Sequence, residues 1–298
     1  FWMHLNVLVA QNDAVAIGTW RSHLSYESIV AVTESQDAVY YGSTQAVLKV
    51  NKEDLSLEYL NKVSGLSDMG ISTIEYNQSE NLLVVAYNNG NIDLFYDNGA
   101  VVNLSSILNN TSVVGDKSVN HIFNDGNKIY FSCSFGLVVY DLDIEAFSQT
   151  TFTSSEVNAC ARLNDTLFIS TNAGIFSGVL DGRNLLDFGI WELQGAANGL
   201  NAINYTSKNI IFFQGKIYAD LSDTLVQYSN GQWEHLSGVD YRDTSSFSFW
   251  KPSGNSDYIN NYNFSLSYDK NDFIITTNTN IYHRVEADNA IYTPYYAG

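Results

Sequence analysis

Histidine and cysteine often supply catalytic groups and metal ligands, and both are sparse in this chain of 298 residues. The five histidines are His4, His23, His121, His235 and His283. Protein ligands of zinc normally include closely spaced pairs, and none of these histidines has a second ligand at such a spacing. Their distribution therefore predicts no metal site.

The two cysteines, Cys133 and Cys160, each lie in an apolar stretch typical of a β-strand rather than in a C-x-x-C pair. Free cysteine packs in protein cores as a small apolar residue. We therefore expect two buried free thiols rather than a disulfide or a catalytic thiol.

The common catalytic motifs are also absent, including the zinc-protease H-E-x-x-H, the nucleophile elbow G-x-S-x-G, the P-loop and G-x-G-x-x-G. Asn91-Ile-Asp93 and Asp141-Leu-Asp143 carry oxygen ligands, but neither fits a calcium-loop pattern, so we interpret them as polar turns. We assign no catalytic, cofactor-binding or metal-binding residue and leave the binding residues unassigned. We expect no cofactor.

Charge and hydropathy exclude two further classes of partner. The chain has 14 basic and 32 acidic residues, and its formal net charge of −18 repels phosphate backbones. Nucleic acid is therefore not an expected partner. No apolar run approaches the roughly 18 residues that a membrane-spanning helix needs, so we predict no membrane span.

The elements that would position a functional residue come from a unit that returns about six times. It consists of a short apolar strand, a tight turn of Asn, Asp or Gly, and further strands, as in residues 119–141 and 157–171. The central turns recur about every 40 to 55 residues, which is the spacing of propeller blades. The pattern predicts an all-β fold, a β-propeller of about six to seven four-stranded blades. The apolar runs at residues 82–86 and 210–213 are expected to be inner strands covered on both faces.

A second recurrent mark is Gly-x-Trp, at Gly18-Thr-Trp20, Gly189-Ile-Trp191 and Gly231-Gln-Trp233. Each copy stands where the outer strand of a blade is expected. Residues 18–26 therefore resemble an outer strand that is separated from its blade in the sequence. We expect this segment to pair with the last blade and close the ring, which covers exposed sheet edges.

The two ends of the chain indicate export and a larger protein. Residues 1–10 form a short apolar run that ends in a small residue and precedes a polar segment, as at the end of a signal peptide. We interpret them as the remnant of a secretion signal, with an ordinary first strand as the alternative. Residues 11–298 are expected to form a single β-propeller domain that is truncated at its C-terminal end.

Three segments carry a family resemblance: residues 18–26, Gly65-Leu-Ser-Asp68 and residues 82–94. They resemble the N-terminal propeller of the PorZ family of the type IX secretion system, and the resemblance is strongest over residues 18–141. Later blades, such as residues 124–131, more loosely resemble the two-component-regulator propeller repeat.

The PorZ resemblance implies an exported, non-enzymatic protein at the outer-membrane cell surface. In that family, the protein has two propellers and a C-terminal sorting domain. It works with the sortase PorU and other attachment-complex proteins, and it binds anionic lipopolysaccharide that the sortase links to cargo. The acidity of this chain offers no evident basic groove for an anionic glycan, so we expect that ligand site elsewhere in the full protein.

Two alternatives remain at this stage. The first is the extracytoplasmic, glycan-sensing propeller of a hybrid two-component regulator, which would lie in the periplasm. The second is a glycan-processing propeller enzyme, which requires paired carboxylates facing one central cavity. A propeller fold by itself does not discriminate among enzymes, sensors and scaffolds.

Overall fold

The computed structural model describes residues 29–182, 184–200, 205–213, 215–221 and 224–235, together with four short strands between residues 266 and 292. The expected signal remnant at residues 1–10 and the expected closing strand at residues 18–26 lie outside the described residues. The described part forms six four-stranded antiparallel sheets. The prediction of an all-β chain built from four-stranded units is confirmed.

Within each sheet the strands pair in chain order, so every sheet is a simple meander. The first sheet contains β1 (Ile29–Glu34), β2 (Ala38–Ser43), β3 (Val47–Asn51) and β4 (Leu57–Leu60). The second contains β5 (Ile71–Asn77), β6 (Leu82–Tyr87), β7 (Ile92–Tyr96) and β8 (Val101–Leu104). The third contains β9 (Val119–Asp125), β10 (Lys128–Cys133), β11 (Gly136–Asp141) and β12 (Ala146–Phe152).

The remaining three sheets follow the same order. The fourth contains β13 (Val157–Leu163), β14 (Thr166–Thr171), β15 (Gly174–Val179) and β16 (Glu192–Leu193). The fifth contains β17 (Ile210–Phe213), β18 (Lys216–Leu221), β19 (Thr224–Ser229) and β20 (Gln232–His235). The sixth contains β21 (Leu266–Asp269), β22 (Asp272–Thr276), β23 (Ile281–Val285) and β24 (Ala290–Tyr292). Among the described residues, helix is limited to α1 (Ser106–Asn109) and two 3-10 turns, Phe188–Ile190 and Ala196–Asn198.

The sheets stack side by side through their first strands. β1 contacts β5, β5 contacts β9, β9 contacts β13, and β13 contacts β17. In the last sheet, β21 and β22 lie against β1. Successive four-stranded meanders that meet along their first strands are the blades of a propeller.

In the first two sheets, burial peaks at the second strand and falls toward the outer strand. Every residue of β2 and β6 is buried, whereas most of β4 and β8 is exposed. The prediction for residues 82–86 is therefore confirmed. The prediction for residues 210–213 is wrong at Phe212, whose side chain is 48% exposed, although Ile210 is buried. The faces of a strand are covered by the neighbouring blades rather than by its sheet partners, so an apolar sequence does not by itself ensure cover on both faces.

The hydrophobic cores lie between successive sheets. Phe131 of β10 packs with β6 residues such as Val84 in one core, and Phe168 of β14 packs with Trp233 of β20 in another. The Phe168 and Trp233 ring centroids are 6.0 Å apart in an edge-to-face arrangement. Burying a large apolar side chain contributes about 1.5–3 kcal/mol, so the sheets are held together by apolar packing between blades.

Two of the three Gly-x-Trp copies lie in the described part. Trp233 is within the outer strand β20, as predicted, whereas Trp191 immediately precedes the outer strand β16. Both rings are buried, and each indole N–H donates to an oxygen: Trp233 to Gln194 Oε1 at 3.1 Å and Trp191 to the Leu185 carbonyl at 3.1 Å. The repeat therefore marks an outer-strand position whose tryptophan covers the core below it.

The sequence analysis missed two outer strands. β8 is four residues long, and β24 has only three. Such short segments carry too little alternation to be recognised, because the period-2 signal needs several residues. No helix in the described part of the chain is long and apolar enough to cross a membrane.

Candidate functional site

One face of the molecule is formed by the turns between the first and second strands and between the third and fourth strands of each sheet. We call it the hairpin face. In four sheets the two turns are joined by a backbone hydrogen bond of 2.7–3.1 Å. These bonds run from Lys52 N–H to Asp37 O, from Asp97 N–H to Asn81 O, from Leu142 N–H to Asn127 O, and from Leu180 N–H to Asp165 O.

A cleft of about 470 Å³ opens on the hairpin face where the third, fourth and fifth sheets meet. The ends of β9, β13 and β17 supply its main side chains. These are Phe123, Asn124 and Asp125 from β9, Arg162 and Leu163 from β13, and Phe212 from β17. The cleft thus combines two aromatic rings and a leucine with a fixed pair of opposite charges.

Arg162 is the cation of this cleft, and its guanidinium already has three oxygen partners. Nη1 pairs with Asp125, Nε donates to the Asn164 carbonyl at 2.5 Å, and Nη2 lies 3.6 Å from Asp165. The hydrogen bond that Arg162 donates to the Asp125 carboxylate raises the pKa of Arg162, so the guanidinium is permanently charged. With two carboxylates around one guanidinium, the cleft has no excess of positive charge.

Hydrogen bonds between blades hold the hairpin face in place. Asn77 Nδ2 donates to the Gly126 carbonyl at 3.1 Å, which joins the second sheet to the third. Gln78 Nε2 donates to the Glu34 carbonyl at 2.6 Å, which joins the second sheet to the first. The turns are therefore fixed relative to one another, and they present a preformed surface.

The hairpin face is strongly acidic. Among the described residues, nine exposed carboxylates lie in its turns within three residues of a strand, and the exposed Asp187 lies farther along the β15–β16 connection. The nine are Asp37, Glu53, Asp54, Glu80, Asp97, Asp143, Glu145, Asp165 and Asp181. At the same turns and the adjoining strand ends, the described basic residues are Lys52, Lys128, Arg162 and Lys216, and the first three form ion pairs.

The opposite face carries the turns between second and third strands and the connections between sheets, and we call it the connection face. Its described charges balance, with three acidic and three basic residues. They are Asp68, Asp116 and Glu156 against Lys62, Lys117 and Lys208. The acidity of the chain is therefore concentrated on one face of the described structure.

A polar chain on the connection face joins three blades. Four first strands are bulged at their second residue, which is Asn120 in β9 and Asn158 in β13. Asn120 Nδ2 donates to the Val157 carbonyl at 2.8 Å and to Glu156 at 3.0 Å. Asn158 Nδ2 donates to the Ser207 carbonyl at 2.7 Å. A bulge re-aims a side chain, and in these strands it directs the asparagine to the next blade.

Of the two segments interpreted as polar turns, Asp141-Leu-Asp143 runs from the end of β11 into a turn, whereas Asp93 lies within β7. Asp93 is fully buried and accepts hydrogen bonds from Tyr87 Oη at 2.6 Å, Ser67 N–H at 2.8 Å and Asn103 Nδ2 at 2.8 Å. It thereby ties the Gly65-Leu-Ser-Asp68 segment to the second sheet. Asp141 pairs with Lys128 at 3.1 Å. Within the described residues, no group of three or more His, Cys, Asp or Glu side chains is placed to hold a metal ion.

Glu34 and Glu75 are carboxylates on the adjacent first strands β1 and β5. Glu34 pairs with Lys52 at 2.7 Å, and burial, aided by the charge of Glu34, raises the pKa of Glu75 to about 8. Neither side chain lines the cleft that opens on the hairpin face. The requirement of paired carboxylates facing a cavity is therefore not met by these two residues.

The histidines and cysteines do not form a site in the described part. Burial lowers the pKa of His121 to about 4, and His235 is an exposed residue of β20. Cys133 and Cys160 are buried free thiols, as predicted, and burial raises the pKa of each. His4, His23 and His283 lie outside the residues whose side chains are described.

Sequence reasoning did not find the cleft. Asp125 and Arg162 are 37 residues apart in the chain, and only the side-by-side packing of β9 and β13 brings them together. A signal was nevertheless present, because both residues fall at the ends of the first strands of successive repeats. Charges of opposite sign at equivalent repeat positions are candidates for a contact between blades.

Comparisons with known proteins agree with this geometry. The sequence model for the N-terminal β-propeller domain of PorZ of the type IX secretion system matches residues 39–192, just over half of the chain. This region includes the Gly65-Leu-Ser-Asp68 segment and residues 82–94. Among curated proteins, none is significantly similar in sequence.

Three solved structures illustrate the fold. PorZ, an essential bacterial surface component of the type IX secretion system of Porphyromonas gingivalis, has a TM-score of 0.77 at 20% identity, over 92% of this chain and 39% of that chain. The extracellular domain of a B. thetaiotaomicron protein described as a hybrid two-component system, BT4673, has a TM-score of 0.52 at 12% identity, over 88% and 46% of the two chains. A chain of the mitotic checkpoint complex has a TM-score of 0.57 at 12% identity, over 91% and 79%.

The low identities mean that these structures establish the fold, and the checkpoint complex shows that the same fold occurs in an unrelated setting. The chain spans 39% of the length of the PorZ structure that it matches. The family assignment rests on the sequence match over residues 39–192. The chain belongs to the family of PorZ N-terminal β-propeller domains of the type IX secretion system.

Proposed function

We propose that this chain is a non-enzymatic scaffold and binding propeller of the type IX secretion attachment complex, assisting the sortase-linked attachment of anionic lipopolysaccharide to cargo. The family match over residues 39–192 is the observation that carries the proposal. The geometry agrees with a scaffold, because the hydrogen bonds between blades present a fixed surface.

The role proposed for this propeller is contact with a PorU-like sortase and other attachment-complex proteins rather than storage of the glycan. The hairpin face carries nine exposed carboxylates in its described turns, and the Arg162 guanidinium is already engaged by Asp125 and Asp165. Like charges across an interface are unfavourable. A polyanionic lipopolysaccharide is therefore better accommodated elsewhere in the full protein, at the outer-membrane cell surface where the complex would act.

The test is capture of attachment-complex proteins by the tagged chain from the envelope of a bacterium with type IX secretion. We expect a PorU-like sortase in the captured material, both from a normal strain and from one that lacks anionic lipopolysaccharide. The matched control is the same tagged chain after thermal unfolding. Absence of sortase from both strains would contradict the scaffold role, and capture only in the presence of the glycan would mean that the glycan forms the bridge.

We further propose that residues 11–298 form a single closed ring, that residues 18–26 supply an outer strand that closes it, and that residues 1–10 are the remnant of a secretion signal. The contact of β21 and β22 with β1 supports a ring, since it brings the last described sheet beside the first. Deletion of residues 1–26 should lower Tm much more than deletion of residues 1–17. Equal Tm values for the two deletions would mean that a segment other than residues 18–26 closes the ring.

A second candidate is the glycan-sensing propeller of a hybrid two-component regulator, acting in the periplasm. It is supported by the similarity in fold to the extracellular domain of BT4673. The gene sequence downstream of residue 298 discriminates between the two candidates. A transmembrane helix followed by a histidine kinase would favour the sensor, and a second propeller with a sorting domain would favour the scaffold.

A further inference from the structure

The hairpin face and the connection face differ far more in charge than they would if the acidic residues were spread evenly over the surface. The described turns of the hairpin face carry nine exposed carboxylates, and three of its four described basic residues are in ion pairs. The connection face has three residues of each sign. Solubility requires net charge but no such separation, so the separation indicates that one face is adapted to a charged partner.

The cleft adds an apolar anchor point to this acidic face. Phe212 is 48% exposed, although it belongs to a strand whose Ile210 is buried. Phe123, in the same cleft, packs against Tyr130 with ring centroids 5.8 Å apart. A cleft of about 470 Å³ has room for one large apolar side chain of a partner. Aromatic side chains in such pockets often carry much of the binding energy of an interface.

The charges around the cleft favour a partner with a positive charge. Arg162 is neutralised by Asp125, and Asp165 on its other side is 82% exposed at the rim. Surface charges act over a Debye length of about 8 Å at physiological ionic strength, so a ligand entering the cleft meets a net negative field. A second copy of this chain, with its own net charge of −18, would be repelled.

We propose that the hairpin face binds a basic segment of a partner protein, with an apolar side chain of that segment in the cleft beside Phe212 and lysine or arginine side chains on the surrounding carboxylates. The inference rests on the proposed scaffold function, for which it names the surface and the chemistry of the partner. The fixed turns reduce the ordering cost of binding, because the surface is formed before the partner arrives.

The test uses the full chain and three labelled pentapeptides as probes. Lys-Lys-Phe-Lys-Lys carries both features of the proposed partner, Lys-Lys-Ser-Lys-Lys lacks the ring, and Glu-Glu-Phe-Glu-Glu reverses the charge. We expect fluorescence anisotropy to show binding of the first peptide about tenfold tighter than binding of the second. The third should not bind, and the affinity of the first should fall as salt is raised.

Two variants with matched controls locate the site. Phe212→Ser should weaken binding of Lys-Lys-Phe-Lys-Lys about tenfold and leave Lys-Lys-Ser-Lys-Lys unchanged. Its control is Phe152→Ser, an equally radical change at a residue that is 55% exposed at the connection-face end of β12. Asp143→Asn with Asp165→Asn, in turns of two sheets that line the cleft, should weaken binding of the lysine peptides about twofold to fivefold. Its control, Glu192→Gln with Glu234→Gln, removes the same charge from the exposed outer strands β16 and β20.

Equal effects of site variants and controls, or equal binding of the phenylalanine and serine peptides, would overturn the proposal. Tight, Phe212-dependent binding of a neutral dextran oligosaccharide without binding of the lysine peptides would also overturn it and assign the cleft to a glycan. Sortase capture by the unaltered chain is measured in parallel. Capture that persists while the peptides fail refutes this surface but leaves the scaffold function intact, whereas loss of capture with peptide binding intact refutes the scaffold function.

Discussion

The polar chain across the third, fourth and fifth sheets predicts that Asn158 holds neighbouring blades together. Asn158 Nδ2 donates to the Ser207 carbonyl at 2.7 Å and to Asn172 Oδ1 at 3.1 Å. Asn172 Nδ2 in turn donates to Glu156 Oε2 at 3.0 Å, and Asn120 donates to Glu156 Oε1 at 3.0 Å. One connected set of hydrogen bonds therefore spans two interfaces between blades.

The expected magnitude follows from these contacts. Each hydrogen bond contributes about 0.5–1.5 kcal/mol net, and a bond to a charged group about 1.5–3 kcal/mol. Asn158→Ala should therefore lower the free energy of unfolding by about 2 kcal/mol, and Asn120→Ala, which also loses its bond to the Glu156 carboxylate, by about 2–4 kcal/mol. For a chain of 298 residues, a loss of about 2 kcal/mol corresponds to a decrease in Tm of roughly 3 °C.

The measurement is urea unfolding followed by circular dichroism, with Ser72→Ala as the matched control. Ser72 occupies the same bulged position in β5, but its Oγ donates to the Ala86 carbonyl of its own sheet at 3.2 Å. Ser72→Ala should cost less than about 1 kcal/mol. Because Asn120 and Asn158 share the Glu156–Asn172 link, the double variant should deviate from additivity by about 0.5 kcal/mol or more.

Two results would refute this reasoning. The first is a loss in Asn158→Ala no larger than that in Ser72→Ala, which would mean that the bonds between blades contribute no more than bonds within a sheet. The second is strict additivity of Asn120→Ala and Asn158→Ala, which would mean that the network is not energetically connected.

Three further predictions concern buried groups. Burial raises the pKa of Glu75 from about 4.5 in the unfolded chain to about 8 in the folded chain, so the unfolded chain loses this proton first as pH rises. The contribution of the protonated carboxyl to stability is fully present below pH 4.5 and is lost toward pH 8. Glu75→Gln should therefore flatten the decline in Tm of the unaltered chain over this range, and parallel pH profiles of the two chains would contradict this. Cys133 and Cys160 should not react with a thiol reagent at pH 8 until the chain is unfolded, because burial raises the pKa of both thiols. Fast labelling of the native chain would contradict this prediction and show that the thiols are accessible. Asp93→Asn should lower the free energy of unfolding by about 2–3 kcal/mol, because an amide nitrogen cannot accept one of the three hydrogen bonds made to the carboxylate. Thermal unfolding measures this loss, with Asp54→Asn, at an exposed aspartate, as the control. Equal stability of the two variants would contradict the prediction.

Much of the fold could be predicted from local sequence. The second strands are continuous apolar runs, and residues 82–86 were correctly assigned to a fully buried strand. The Gly231-Gln-Trp233 copy was correctly placed at an outer strand, and the turn that precedes this strand has positive φ at Asn230 and Gly231, 52° and 84°. Glycine and asparagine adopt this conformation readily, so the signal was both local and specific.

The errors have a common physical origin. Ile210–Phe213 has the composition of a covered strand, yet Phe212 is half exposed because cover depends on the neighbouring blade rather than on the strand itself. The outer strands β8 and β24 were missed because such short sequences carry almost no hydrophobic period. The composition of a strand shows which side chains are apolar enough to be buried, whereas the packing of the neighbouring blades determines which of them are buried.

The sequence by itself determined the repeating strand units, the burial of the two thiols, the net acidity and the family, because each depends on local residue order or on totals over the chain. Only the tertiary structure decided where the acidity lies and which residues meet. The pairing of Arg162 with Asp125, the exposure of Phe212 and the separation of nine carboxylates onto one face arise from the stacking of successive sheets. These contacts join residues tens of positions apart, and their geometry is set by the packing of one blade against the next.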